Sequence, residues 1–131
     1  ELCDQYGLYM VAEANVESHG MMYGDNPLSK NESYALAHIE RNQRNVQCYY
    51  NHPAIIFWSL GNEGGYGPNY EAAYDWIKAE DPTRPVQYEP AGQNGKTDIF
   101  CSKNTKTSCN EKWIFSAFKH TSKIVYGSIR V

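Results

Sequence analysis

The sequence lacks closely spaced cysteine pairs, membrane-length apolar stretches and runs of like charge. Its four cysteines, Cys3, Cys48, Cys101 and Cys109, are scattered, and no two form a C-x-x-C pair. That spacing argues against a zinc site. No secretory context is visible for a disulfide framework, so free thiols are the simpler reading. No window approaches the roughly 18 unbroken apolar residues of a membrane span, so no membrane partner is expected. The opening, ELCDQYGLYM, has no basic n-region followed by an apolar h-region, so no signal peptide is expected. It also lacks an initiator methionine, which suggests that residue 1 is not a natural start. Residues 1–98 carry 14 acidic and 6 basic residues, whereas residues 99–131 carry 1 and 6. The tail's bases stand singly, without the run of five or six that marks a nucleic-acid arm, so no nucleic-acid partner is expected.

What is present is an aromatic, globular composition, with 11 tyrosines among 131 residues. Leu8–Val11 and Ala54–Leu60 are continuous apolar runs and read as buried parallel strands. Ser29-Lys30-Asn31-Glu32 fits a helix-starting capping box, and Ala35, Ile39, Val46 and Tyr49 carry a helix over 31–50. It stops before Pro53. Tyr70, Ala73, Tyr74 and Ile77 recur at helical spacing and predict a second helix over 69–80. Val86–Tyr88 is a third strand, and Asp98–Cys101 begins a fourth. The alternation argues for an α/β fold with a parallel sheet. A complete eight-stranded α/β barrel needs about 250 residues, so the chain is too short for one.

In such sheets ligands bind outside the carboxyl ends of the strands. The first strand is followed by Glu13, Asn15, Glu17 and His19, the second by Asn62 and Glu63, the third by Glu89. Partial burial at the end of an apolar strand would raise the pKa of Glu63 and suit it to proton donation. Asn62 both donates and accepts hydrogen bonds, which suits a sugar hydroxyl. Capping of the next helix is the plain alternative for this pair. Glu17 and His19 are two apart and, with Glu63, could hold a divalent cation; a solvated surface loop is the plain alternative.

Three stretches together resemble a family: Glu13-Ala14-Asn15-Val16-Glu17-Ser18-His19-Gly20-Met21, then Asn51-His52-Pro53 through Trp58-Ser59-Leu60-Gly61-Asn62-Glu63, then Trp76-Ile77-Lys78 with Asp81-Pro82-Thr83-Arg84-Pro85-Val86-Gln87-Tyr88-Glu89. They resemble the catalytic TIM barrel of glycoside hydrolase family 2, in the wording of large bacterial β-galactosidases. The resemblance implies a partial (β/α)8 barrel over residues 1–101, about strands 3 to 6. It implies that Glu63 is the catalytic proton donor, that Asn62 contacts the sugar, and that Glu17, His19 and Glu63 hold Mg²⁺. The implied substrate is a β-galactoside such as lactose. Full-length relatives are expected to be homo-oligomers, in bacterial cytoplasm or periplasm.

Residues 102–131 continue neither the motifs nor the α/β rhythm, and the charge balance flips at that point. The seam reads as a join between segments of different origin. In the family the nucleophilic Glu follows strand seven, and no matching motif is present here. Glu111 is the tail's one carboxylate side chain and does not sit in such a motif. The expectation is a glycosidase fragment that is inactive, or nearly so, by itself. Two alternatives are a carbohydrate-binding remnant and a barrel piece that needs a complementary chain.

Overall fold

The computed structural model describes residues 1–100. Their elements in chain order are helix α1 (Leu2–Tyr6), strand β1 (Met10–Glu13), helix α2 (Ala35–Tyr49), strand β2 (Ile55–Ser59), helix α3 (Pro68–Glu80) and strand β3 (Val86–Gln87). Short 3₁₀ turns lie at His19–Met21, Glu32–Tyr34 and Glu89–Ala91. The three strands form one parallel sheet in the order β1-β2-β3. Ala12 pairs with Trp58 and Glu13 with Ser59, while Trp58 and Ser59 pair in turn with Val86 and Gln87. A further parallel bridge joins Gln87 to Ile99, where a fourth strand was expected to begin. This is a partial barrel: strand, helix, strand, helix, strand, with each strand added beside the last. The predicted segment 102–131 lies outside the described residues, as do Cys101, Cys109 and Glu111. Among the described residues no helix is long and apolar enough to cross a membrane.

The core lies between the sheet and the two long helices. Ala12, Ile55, Trp58, Leu60, Tyr70, Ala73, Ile77 and Val86 are all buried there. Removing such side chains from water is the main force that holds the layers together. Two amides on α2 cross the same layer. Asn42 Nδ2 donates to the Leu60 carbonyl at 3.3 Å, and Asn45 Nδ2 donates to the Ala12 carbonyl at 3.1 Å. Buried polar groups survive because they are paired in this way.

Trp58 is fully buried, and its indole N–H donates to Asp81 Oδ2 at 2.9 Å. The end of the sheet is closed by Asp98. Its carboxylate accepts from the Tyr74 hydroxyl at 2.6 Å, from Lys78 Nζ at 3.0 Å and from the Val86 amide at 2.9 Å. Burial opposes ionisation of Asp98, but these three donors outweigh it and lower its pKa.

Three details depart from the sequence reading. β1 begins at Met10 and includes Glu13, two residues later than the apolar run suggested. α1 was not foreseen; it is five residues long, buries none of its side chains, and ends on left-handed Gly7. It is tied to the body through Asp4, which accepts from the Ala54 amide at 2.8 Å and lies 2.6 Å from His52 Nδ1. The Ser29 capping box is also corrected. Asn31 is the cap, and its side chain accepts from the Ser33 amide at 3.0 Å. Ser29 is instead fully buried, and its carbonyl accepts from the Asn69 amide at 3.1 Å, so it packs under the start of α3.

Candidate active site

The polar residues singled out by the sequence sit where β1 and β2 run out. β1 continues as an extended segment through Ala14, whose amide donates to the Ser59 carbonyl at 2.9 Å. Two residues on, the Asn62 amide donates to the Val16 carbonyl at 2.9 Å, and Glu17 and Asn62 form an isolated parallel bridge. The two strand ends therefore stay together beyond the sheet and present their side chains on one rim. A shallow cleft there is lined by Glu13, Asn15, Glu17 and Asn62.

This close approach needs Gly61. Its φ is +139°, and a Cβ at that position would lie 2.3 Å from the Val16 carbonyl oxygen. Gly61→Ala is expected to lower stability by about 1–3 kcal/mol, from backbone strain and displacement of the Val16 strand. Urea denaturation of the two chains checks this. An unchanged midpoint would refute the stated role of Gly61.

The side chains fall into linked pairs. His19 Nδ1 lies 2.5 Å from Glu63 Oε2. Asn62 Nδ2 donates to Glu17 Oε1 at 3.3 Å. Below them, Gln87 Nε2 donates to Ser59 Oγ at 2.7 Å, and Ser59 Oγ donates to Glu13 Oε2 at 2.9 Å. All three strands thus contribute to one polar rim. The Glu63 side chain is 28% exposed and that of His19 57%. Glu63 is thus half-shielded, as the end of an apolar strand dictates, yet open to a ligand.

Glu63 also has an unusual backbone. Its φ is +40°, and it is the one residue other than glycine with positive φ among the described residues. Such a conformation costs on the order of 1–3 kcal/mol, and strained residues of this kind cluster at functional sites.

Glu17, His19 and Glu63 were expected to hold a cation. Among the described residues no three His, Cys, Asp or Glu side chains close to metal-binding distance. The donor chemistry nevertheless fits a divalent ion: two carboxylates with four oxygens, and one imidazole. His19 and Glu63 are already in contact, and Glu17 is bridged to Asn62, the residue before Glu63. Glu89 opens the 3₁₀ turn after β3. The sequence reading missed the Gln87–Ser59–Glu13 relay. The period-2 spacing that puts alternate residues on one face of a strand was its one available signal.

Residues 1–124 match the family described as glycosyl hydrolases family 2, TIM barrel domain. A β-galactosidase of Pectobacterium atrosepticum is 57% identical over 101 residues, which cover 76% of this chain and 10% of that protein. A β-galactosidase of Leuconostoc mesenteroides is 47% identical over 130 residues, covering 94% of this chain and 12% of that protein. The family match and the Leuconostoc alignment both run on past residue 101, the end expected of the resemblance. Among solved structures, the apo form of Bacteroides uniformis β-glucuronidase 3 is 23% identical with a TM-score of 0.46, over 65% of this chain and 11% of that one. The chain spans about a tenth of the length of the curated relatives it matches. With three parallel strands, their connecting helices and a polar rim at the strand ends, the chain belongs to glycosyl hydrolase family 2 and carries part of its TIM barrel domain.

Proposed function

We propose that this chain carries the acid/base portion of the active site of a retaining β-galactosidase. The observation that supports it most is the rim itself: Glu63 stands at the end of β2, half-shielded, against His19 and beside an Asn62 bridged to the end of β1. In the proposed chemistry Glu63 gives a proton to the leaving glycosidic oxygen and later takes one from the attacking water. Asn62 holds a sugar hydroxyl, with its carbonyl oxygen accepting while its amide stays on Glu17. His19 orients the Glu63 carboxylate through their contact. Glu17, His19 and Glu63 would hold Mg²⁺, which supplies fixed positive charge beside the acid/base. The substrate class is a terminal β-galactoside, such as lactose.

A retaining mechanism needs a second carboxylate about 5–5.5 Å from the first, acting as nucleophile. We assign that group to a part of the barrel that this chain does not carry, so the chain alone should not turn over.

The test uses two samples. The purified chain is assayed on nitrophenyl β-galactoside, with no turnover expected. The aligned stretch is then grafted in place of its counterpart in the Pectobacterium β-galactosidase, with hydrolysis expected. Turnover by the isolated chain would overturn the missing-nucleophile assignment, and a folded but inert graft would overturn the galactosidase reading.

A further inference from the structure

The turn that carries Glu63 rests on two tyrosines from other elements. Tyr70, on α3, and Tyr88, just after β3, are stacked with ring centroids 3.9 Å apart and planes 18° apart. Both are fully buried. The Tyr88 hydroxyl donates to the Gly65 carbonyl at 2.7 Å. The Tyr70 hydroxyl lies directly under Gly64, where an added Cβ would come within 2.0 Å of its oxygen. Above this pair the backbone passes through two left-handed positions, Glu63 at φ +40° and Gly65 at φ +73°. Glycine adopts such a φ readily. For glutamate it is a strained state that persists only where its surroundings over-determine it.

We infer that the stacked Tyr70–Tyr88 pair is a positioning device, which holds the Glu63–Gly65 turn from below and keeps the Glu63 carboxylate on His19. The pair suits the task. Stacked rings are stiff, having few side-chain torsions to freeze. Burial raises the pKa of Tyr70 to about 12, so its hydroxyl stays neutral beneath the turn. Gly64 is then the one residue type that fits: any side chain would displace Tyr70. The geometry stands by itself, and its catalytic meaning rests on the reading of Glu63 as acid/base.

The test is nuclear magnetic resonance on the full chain. A residue with positive φ brings its own amide and α protons close together and gives a strong intraresidue cross-peak between them. That peak is expected at Glu63 in the unsubstituted chain. In Tyr88→Phe, which keeps the ring stack and deletes only the hydroxyl, it should fall to the intensity seen along α2. Contacts between Ala12 and Trp58 should remain, showing that the sheet is intact. Tyr49→Phe, remote from the turn, should leave the Glu63 peak unchanged, which a general loosening of the fold would not. If Tyr88→Phe does not fold, Gly64→Ala, whose Cβ would come within 2.0 Å of the Tyr70 oxygen, is read in the same way. A weak peak at Glu63 in the unsubstituted chain, or a strong one that survives in the folded variant, overturns the inference. The measurement needs no turnover, so an inert graft would count against the galactosidase reading and leave this one standing.

Discussion

In the grafted β-galactosidase, Glu63→Gln is expected to lower kcat on lactose by about 10²–10⁴-fold, the usual worth of a positioned general acid or base. The amide keeps the size of the side chain and can still reach His19, but it has no proton to give at neutral pH. The loss should depend on the leaving group. A sugar hydroxyl leaves poorly without a proton, whereas a dinitrophenolate leaves readily without one. Bond cleavage should therefore suffer much less with a dinitrophenyl galactoside, leaving the later water-activation step as the slow one. Steady-state kinetics with both substrates makes the comparison. Equal losses in kcat/KM on both, which reports the bond-cleaving step alone, or no loss on lactose, would remove Glu63 from the acid role.

Asp81→Ala is expected to cost about 3–5 kcal/mol of stability, a large part of what a small domain has. Asp81 is fully buried and accepts four hydrogen bonds. Oδ2 takes the Trp58 indole N–H and Arg84 Nη1, each at 2.9 Å, and Oδ1 takes the Thr83 amide at 3.0 Å and the Thr83 hydroxyl at 2.5 Å. Removing the carboxylate leaves an indole N–H and a guanidinium short of their acceptor inside the protein, which costs more than the bonds themselves contribute. Asp81→Asn keeps one acceptor oxygen and should lose less.

The same group sets an acid limit. Burial works against ionisation of Asp81, but donation from Thr83, Trp58 and Arg84 prevails and brings its pKa from 3.8 down to about 2. A folded-state pKa below the unfolded one means stability that is present above the unfolded value. It is lost as pH falls from near 4 through about 2, and it amounts to about 2 kcal/mol. Denaturation midpoints measured down this range should fall for the unsubstituted chain, and the slope should flatten in Asp81→Ala. Parallel slopes would contradict the assignment.

Much of this architecture is readable in the residues themselves. The run Ala54–Leu60 and the spacing of Tyr70, Ala73, Tyr74 and Ile77 gave β2 and α3 almost to the residue, because burial forces those periods. β1 came out displaced, because the polar Glu13 looked like an end. In the fold its carboxylate is satisfied by Ser59, so the ladder runs on through it. α1 is five residues long, buries none of its side chains and depends on a bond between residues 48 positions apart. The Asn62-Glu63 pair was visible as the end of a strand, and a resemblance supplied its proposed role. The left-handed turn at Glu63 was not visible, because its supports, Tyr70 and Tyr88, come from two later elements. Nothing in the local wording announces that they meet.

The two α2 amides have a consequence of their own. Apolar surfaces slide over one another at little cost, but a hydrogen bond to one chosen carbonyl does not. Asn42 and Asn45 grip neighbouring strands, one at Leu60 and the other at Ala12. Together they act as a vernier. A shift of α2 by one residue would break both bonds at once, so the helix measures the height of β1 against that of β2. That fixed offset brings Glu17 and Asn62 out level with each other at the rim.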